Sequence, residues 1–267
     1  MVLFENKISR MRVAAGLLIM LGVAVRIYAA ICFQHSINSD IGINALMVRH
    51  IAPGRHFPLF FYGQSYMGTI EAWLAAPFYL VMGHGMLPVL LGSAATAALS
   101  QWFLYRWVRD MAGRSAAVAA LALYVFGSPA LFYYNIFLGY PALLIFGLIC
   151  CSLSVRVVSE LDDASSAWSV IRRIFVPGLA AGIGWWCNNM IVVFFPACLF
   201  VLLAGSRLKH LPLMGFAGAA GFLIGGSPWL YKAVTDPSTL FFLRQGGRLR
   251  SPERLRQFCS IHLKCWG

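Results

Sequence analysis

Charge is what this sequence has least of. Of its 267 residues only 11% are Asp, Glu, Lys or Arg, and just nine are acidic. Soluble domains carry about 25% charged residues, and a water-facing surface cannot be covered with so few. The same shortage excludes a disordered tail or a coiled coil, and seven cysteines are too few and too scattered for a disulfide framework. Cys32, Cys150, Cys151, Cys187 and Cys198 lie in or beside apolar runs, where cysteine acts as a small hydrophobe. Cys259 and Cys265 sit in a polar tail at a spacing that matches no zinc pattern. Phosphate-binding glycine loops, the GxSxG elbow and the HExxH motif are all missing.

What is present is apolar. Hydrophobic residues make up 60% of the chain, against roughly 45–50% in soluble domains. An all-α, polytopic transmembrane bundle follows. The 21 basic residues give a net charge of +12. In such a bundle that excess points to loops and anionic lipid headgroups rather than to nucleic acid. Runs near the required length of about 20 residues predict seven spans, at 13–33, 86–105, 116–134, 141–155, 174–188, 191–205 and 211–231. The first is too long for a cleaved signal core and reads as a retained anchor behind a cytoplasmic tail, 1–12.

The positive-inside rule sets the orientation. With the N-terminus inside, eleven Lys and Arg fall in inner loops, while the outer loops before residue 231 hold only Arg49 and Arg55. This requires that the apolar stretch 67–82, with Glu71 and Pro77, does not cross. It reads instead as an interfacial or re-entrant helix in a long outer loop, 34–85. The basic tail 232–267 breaks the rule, with seven Lys and Arg on the outer side after seven spans.

Chemistry concentrates in that outer loop. Asp40 opens a helix predicted over 41–52, and Asp40, Asn44 and Met47 share one helical face. A carboxylate and an amide can thus point into one cleft, or Asp40 or Ser39 can simply cap the helix. Glu71 lies among apolar neighbours and needs a partner such as Arg49, Arg55 or a backbone donor. His50 and His56 are six apart, which is not a helical metal pair, and read as hydrogen-bonded histidines. Arg26, inside the first span, can meet a lipid phosphate, snorkel to the headgroups or pair with a buried acid. Asn135 and Tyr140 are placed to line the same cavity, and residues 185–189 return aromatic and amide groups to the outer face. Gly178/Gly182 and Gly221/Gly225 have the spacing of close helix packing.

The run from Ser39-Asp40 through Asn44 to Ile51, then Pro53–Pro58, Phe61–Gly68 and Glu71, resembles bacterial membrane glycosyltransferases of the C-type fold. These belong to the protein mannosyltransferase and aminoarabinose transferase superfamily, similar to family 39. Gly182–Trp186 and Gly221…Pro228…Tyr231 fit the same pattern, and the resemblance covers residues 10–243. It implies a sugar moved, with inversion, from a polyprenyl-phosphate donor to a lipid, glycan or protein acceptor outside the bacterial inner membrane. The family's catalytic aspartate falls on Asp40, acting as base or positioning the acceptor. Asn44, Arg49, His50, Arg55, His56, Tyr62, Gln64, Tyr66, Glu71 and Tyr140 are then the substrate-binding candidates, with Arg26 as a lipid-phosphate contact. Many members carry Glu directly after the aspartate, whereas this chain has Ile41. No metal ligand is assigned, and participation of a divalent cation stays open. Relatives usually continue with further spans, so a truncated enzyme is expected. A transporter or flippase needs paired broken helices near the midplane, yet the charges here cluster on one side. An inactive remnant would neither bind polyprenyl phosphate nor transfer sugar.

Overall fold

The computed structural model describes residues 2–35, 38–64, 66–127, 140–161, 166–205 and 211–235. Asn135, the loop containing Arg207 and Lys209, and the tail with Cys259 and Cys265 lie outside the described residues. The described chain is helical, with two isolated antiparallel bridges as its extended pairing. The helices are α1 (Val2–Phe33), α2 (Ser39–Ile51), α3 (Ile70–Met82), α4 (Met86–Val125), α5 (Tyr140–Leu161) and α6 (Ala167–Cys187). A 3-10 turn (Asn189–Phe194) then leads into α7 (Phe195–Gly205), α8 (Leu211–Gly225) and α9 (Ser227–Thr235).

Helix α4 is two arms rather than one rod. Gly113 sits at φ 85°, ψ 175°, a left-handed value that breaks the helical ladder. The break falls at the end of the Arg106–Arg114 cluster, where a turn between two spans was expected. Packing gives the arms opposite directions. Ala30 packs with Leu90, and Gln101 fills the space beside Gly22. Ser115 meets Met11 at 3.5 Å, while Arg26 lies over Tyr124. The first arm therefore runs antiparallel to α1 and the second parallel to it.

The second half of the bundle alternates likewise. Arg173 of α6 reaches Glu160 of α5 at 3.6 Å, so these two helices run antiparallel. Gly147 packs on Phe194, Cys151 lies 3.7 Å from Cys198, and Gly205 meets Val158, which sets α5 and α7 parallel. Helices α6 and α8 lie side by side and parallel, their backbones touching through glycine. A Cβ at Gly178 would strike the Gly218 carbonyl oxygen, one at Gly182 that of Phe222, and one at Gly225 that of Leu179. The G-x-x-x-G spacing thus does the packing expected of it.

Among the described residues three helices, over Ser9–Phe33, Met86–Val125 and Tyr140–Glu160, are long and apolar enough to cross a membrane, or four if α8 and α9, bent by 71°, form one span. Exposed Leu, Val, Phe and Met side chains cover their outward faces. The protein is an integral membrane protein of all-α class. By length and apolarity alone, not all of the seven expected spans qualify among the described residues. The expected spans 86–105 and 116–134 fall in the two oppositely directed arms on either side of Gly113, as two crossings would, with residues 128–134 outside the described residues. The 174–188 stretch belongs to a helix with Arg172 and Arg173 near its start, and 191–205 forms a 3-10 turn and a short helix. The 67–82 stretch forms α3, whose 13 residues span only about 20 Å. It is too short to cross by itself.

Replacing Gly182 by Leu should destabilise the bundle by about 1–3 kcal/mol through overpacking. Gly215, with nothing within 4 Å of its added Cβ, should accept Ala without loss. Thermal unfolding in detergent distinguishes the two outcomes.

Candidate active site

Helix α2 starts one residue earlier than Asp40, and neither Asp40 nor Ser39 caps it. The Asn38 side chain does so, its Oδ1 accepting from the Ile41 N–H at 2.8 Å. That releases the Asp40 carboxylate from capping duty. Asp40 and Asn44, one helical turn apart, face a shared cavity whose enclosed part is small, about 30 Å³, and which opens to solvent. Met47, on the same face, is fully buried beneath them. Glu71, in the first turn of α3, lines the same cavity, as do Thr69, Ala142 of α5 and Cys187 of α6. Four separate helices therefore meet there.

The loop between α2 and α3 closes the cavity by pairing with the end of α6. Gly68 N–H donates to the Cys187 carbonyl at 3.0 Å, and Asn189 N–H donates to the Tyr66 carbonyl at 3.3 Å. Together they form an antiparallel bridge between Met67 and Asn188. Trp186 Nε1 donates to the Leu59 carbonyl at 2.8 Å. Thr69 Oγ1 donates to Pro58 O at 2.8 Å, which closes the loop on itself. Gly68 is required at this crossing, because a Cβ there would lie 2.6 Å from the Trp186 carbonyl oxygen.

The remaining candidates sort into distinct places. Tyr66 is near the cavity, and its hydroxyl pKa is raised by burial, by the Asp40 carboxylate and by Tyr140. Gln64 is half-buried in the turn, its N–H donating to Phe61 O at 3.0 Å. His50 and His56 share the Tyr62 hydroxyl, with Nδ1 to Oη distances of 2.8 and 2.9 Å. They are hydrogen-bonded histidines, as expected. Gly54, at φ 73°, makes this possible. It turns the chain back so that the Arg55 and His56 N–H groups both reach the His50 carbonyl, at 3.0 and 3.3 Å. Arg49 and Arg55 line a different cleft with Tyr79 and His84. Arg26 is fully buried, its Nη1 donating to Gly22 O at 2.9 Å and its guanidinium 5.0 Å over the Tyr124 ring. Among the described residues no three His, Cys, Asp or Glu side chains are grouped to hold a metal ion.

Sequence reasoning missed the α6 contribution. Residues 185–189 read as an interfacial belt, whereas Cys187 walls the cavity and Asn188 ties the loop down. The available signal was the Asn188-Asn189 pair closing an apolar helix. Asn188 caps the following 3-10 turn, its Oδ1 accepting from Met190 N–H at 2.9 Å.

The model for the dolichyl-phosphate-mannose-protein mannosyltransferase family matches residues 69–231, more than half of the chain. The chain belongs to that family. It is a membrane glycosyltransferase of the C-type class. The match begins at Thr69 and takes in the Glu71, Ala142 and Cys187 walls of the cavity, while Asp40 and Asn44 precede it. No curated protein and no solved structure matches the chain.

The His50 pKa is lowered from 6.5 by burial and then by the charges of His56, Arg49 and Arg55. A histidine with a depressed folded value stabilises the fold in its neutral form. That contribution is complete above pH 6.5 and is lost as pH falls through the lower folded value. Thermal unfolding followed from pH 7 downward should show this loss, and His50→Gln should reduce it.

Proposed function

We propose that this glycosyltransferase moves a sugar from a polyprenyl-phosphate donor to an acceptor hydroxyl or amine on the outer face of the bacterial inner membrane. Asp40 acts as the general base. The observation that carries the reading is the meeting of Asp40 and Asn44, on one face of α2, with Glu71 in a single cavity. Its other walls come from the segment matched to a mannosyltransferase family.

The acceptor O–H or N–H gives its proton to the Asp40 carboxylate as its heteroatom bonds to the anomeric carbon. The bond from that carbon to the phosphate oxygen breaks at the same time, and its electron pair leaves with the polyprenyl phosphate. Attack from the side opposite the leaving group inverts the anomeric centre. Asn44, one turn from Asp40 on the same wall of the cavity, orients the acceptor, and the Tyr66 hydroxyl feels the Asp40 charge.

The charge pattern supports this assignment of sides. The described lining carries two carboxylates and no Lys or Arg. A phosphate pressed against Asp40 and Glu71 would meet like charge. The acceptor, with a proton to give, is the group suited to that wall. A base within hydrogen-bond reach contributes about 10²- to 10⁴-fold to rate.

Asp40→Asn should lower transfer of labelled sugar from a polyprenyl-phosphate donor by about that factor, while membrane insertion and thermal stability are kept. Asn44→Ala should cost less, about tenfold, the loss of one orienting hydrogen bond. Wild-type turnover by the Asp40→Asn protein would remove this residue from the mechanism.

A further inference from the structure

The two arginines of the loop, Arg49 and Arg55, line no part of the Asp40 cavity. Nine residues separate Asp40 from Arg49, which at 100° each is about half a turn round the helix. Arg49 therefore faces away from the carboxylate cavity. With Arg55, Tyr79, Leu80, Gly83 and His84 it lines a second cleft of about 270 Å³. The cleft is basic and its described lining contains no acid. Among the described residues neither guanidinium takes part in an ion pair.

The surroundings of this cleft are those of a bilayer boundary. Leu80, Val81 and Met82, at the end of α3, are exposed, Val81 by 87%. Phe57 and Trp73 stack 5.4 Å apart and are both exposed, the pairing of aromatics found at headgroup level. The His84 ring stacks on Tyr79 at 5.2 Å, which holds it at the mouth of the turn between α3 and α4. Apolar surface for chains and cationic donors for a phosphate thus adjoin.

We infer that the Arg49–Arg55–His84 cleft is a binding site for the phosphate of an anionic bilayer lipid, separate from the Asp40 cavity on the other side of α2. Arg49 and Arg55 supply charge-assisted hydrogen bonds to the phosphate oxygens. The exposed end of α3 lies along the lipid chains. A lipid seated there braces α2 from behind and does not enter the reaction, so this inference stands independently of the catalytic reading.

The experiment is native mass spectrometry of the full chain in detergent with added phosphatidylglycerol or phosphatidylcholine. The wild type should retain one phosphatidylglycerol in preference to phosphatidylcholine. The Arg49→Gln/Arg55→Gln variant should lose that preference by at least about tenfold, the loss expected for one strong charged contact. Arg49→Lys/Arg55→Lys should keep part of it, which separates a lost site from a misfolded protein. Asp40→Asn should retain it in full. Equal retention by the Gln variant overturns the proposal. Displacement of phosphatidylglycerol by farnesyl phosphate would reassign the cleft to the donor's own phosphate, and displacement by inorganic phosphate alone would remove the lipid. Either result overturns it too.

Discussion

The site depends on one backbone crossing, where the loop before α3 meets the end of α6. Two hydrogen bonds, from Gly68 N–H to Cys187 O and from Asn189 N–H to Tyr66 O, hold together segments distant in sequence. Each such bond contributes about 1 kcal/mol net, but leaving its buried groups unpaired costs about 1–3 kcal/mol. The crossing is therefore held more by the cost of opening than by the gain of closing. Its width is set by Gly68, since any side chain there collides with the Trp186 backbone. Asp40 and Asn44 come from α2, Glu71 from α3 and Cys187 from α6, and this tether is what makes them one cavity.

A second constraint acts across α2. The helix puts Asp40 and Asn44 on one side and Arg49 on the other, with Met47 and Val48 fully buried between them. Had Arg49 turned toward Glu71, the pair would have neutralised both groups. The cavity would then have lost a carboxylate and the rear cleft a cation. Rotation of one short helix thus sorts charge into two compartments. That rotation is fixed by the Asn38 cap at one end and the Gly54 turn at the other.

Much of the fold was legible in the sequence because membranes impose few solutions. Long apolar runs with little charge require helices, since the backbone must satisfy itself. The glycine spacing marked α6 and α8 as closely packed helices without naming their partner, and the Arg106–Arg114 cluster marked the break at Gly113. The number of spans was less legible. Length and apolarity do not show that an arginine pair sits near the start of a helix, or that an apolar run opens with a 3-10 turn. In the site, the shared face of Asp40 and Asn44 followed from helical period alone. The partner of that face did not, because Cys187 and Asn188 are distant in sequence and look like interface residues. The cap was misassigned among three adjacent residues, Asn38, Ser39 and Asp40, each able to serve. The direction of Arg49 followed from the same period that placed Asn44, yet it becomes decisive only once α3 is seen to lie against both sides of α2.

Arg26 shows how the membrane half of the bundle supports the site. A buried cation is expensive in hydrocarbon, and this one has no carboxylate beside it among the described residues. It is held instead by the Gly22 carbonyl and the face of Tyr124, whose hydroxyl bonds Ser100 at 2.6 Å. Gln101 fits beside it because Gly22 leaves room. The cluster joins α1 to both arms of α4, and polar groups buried together tolerate fewer registers than apolar ones. A slip of one residue would strand the guanidinium in hydrocarbon, so the rotation and height of α1 are fixed. Ala30, one turn above Arg26, packs with Ile41 of α2 and Leu90 of α4. The height of α1 is thereby passed to the helix that carries Asp40. A charge deep in the bundle thus helps set where a second charge stands at its end.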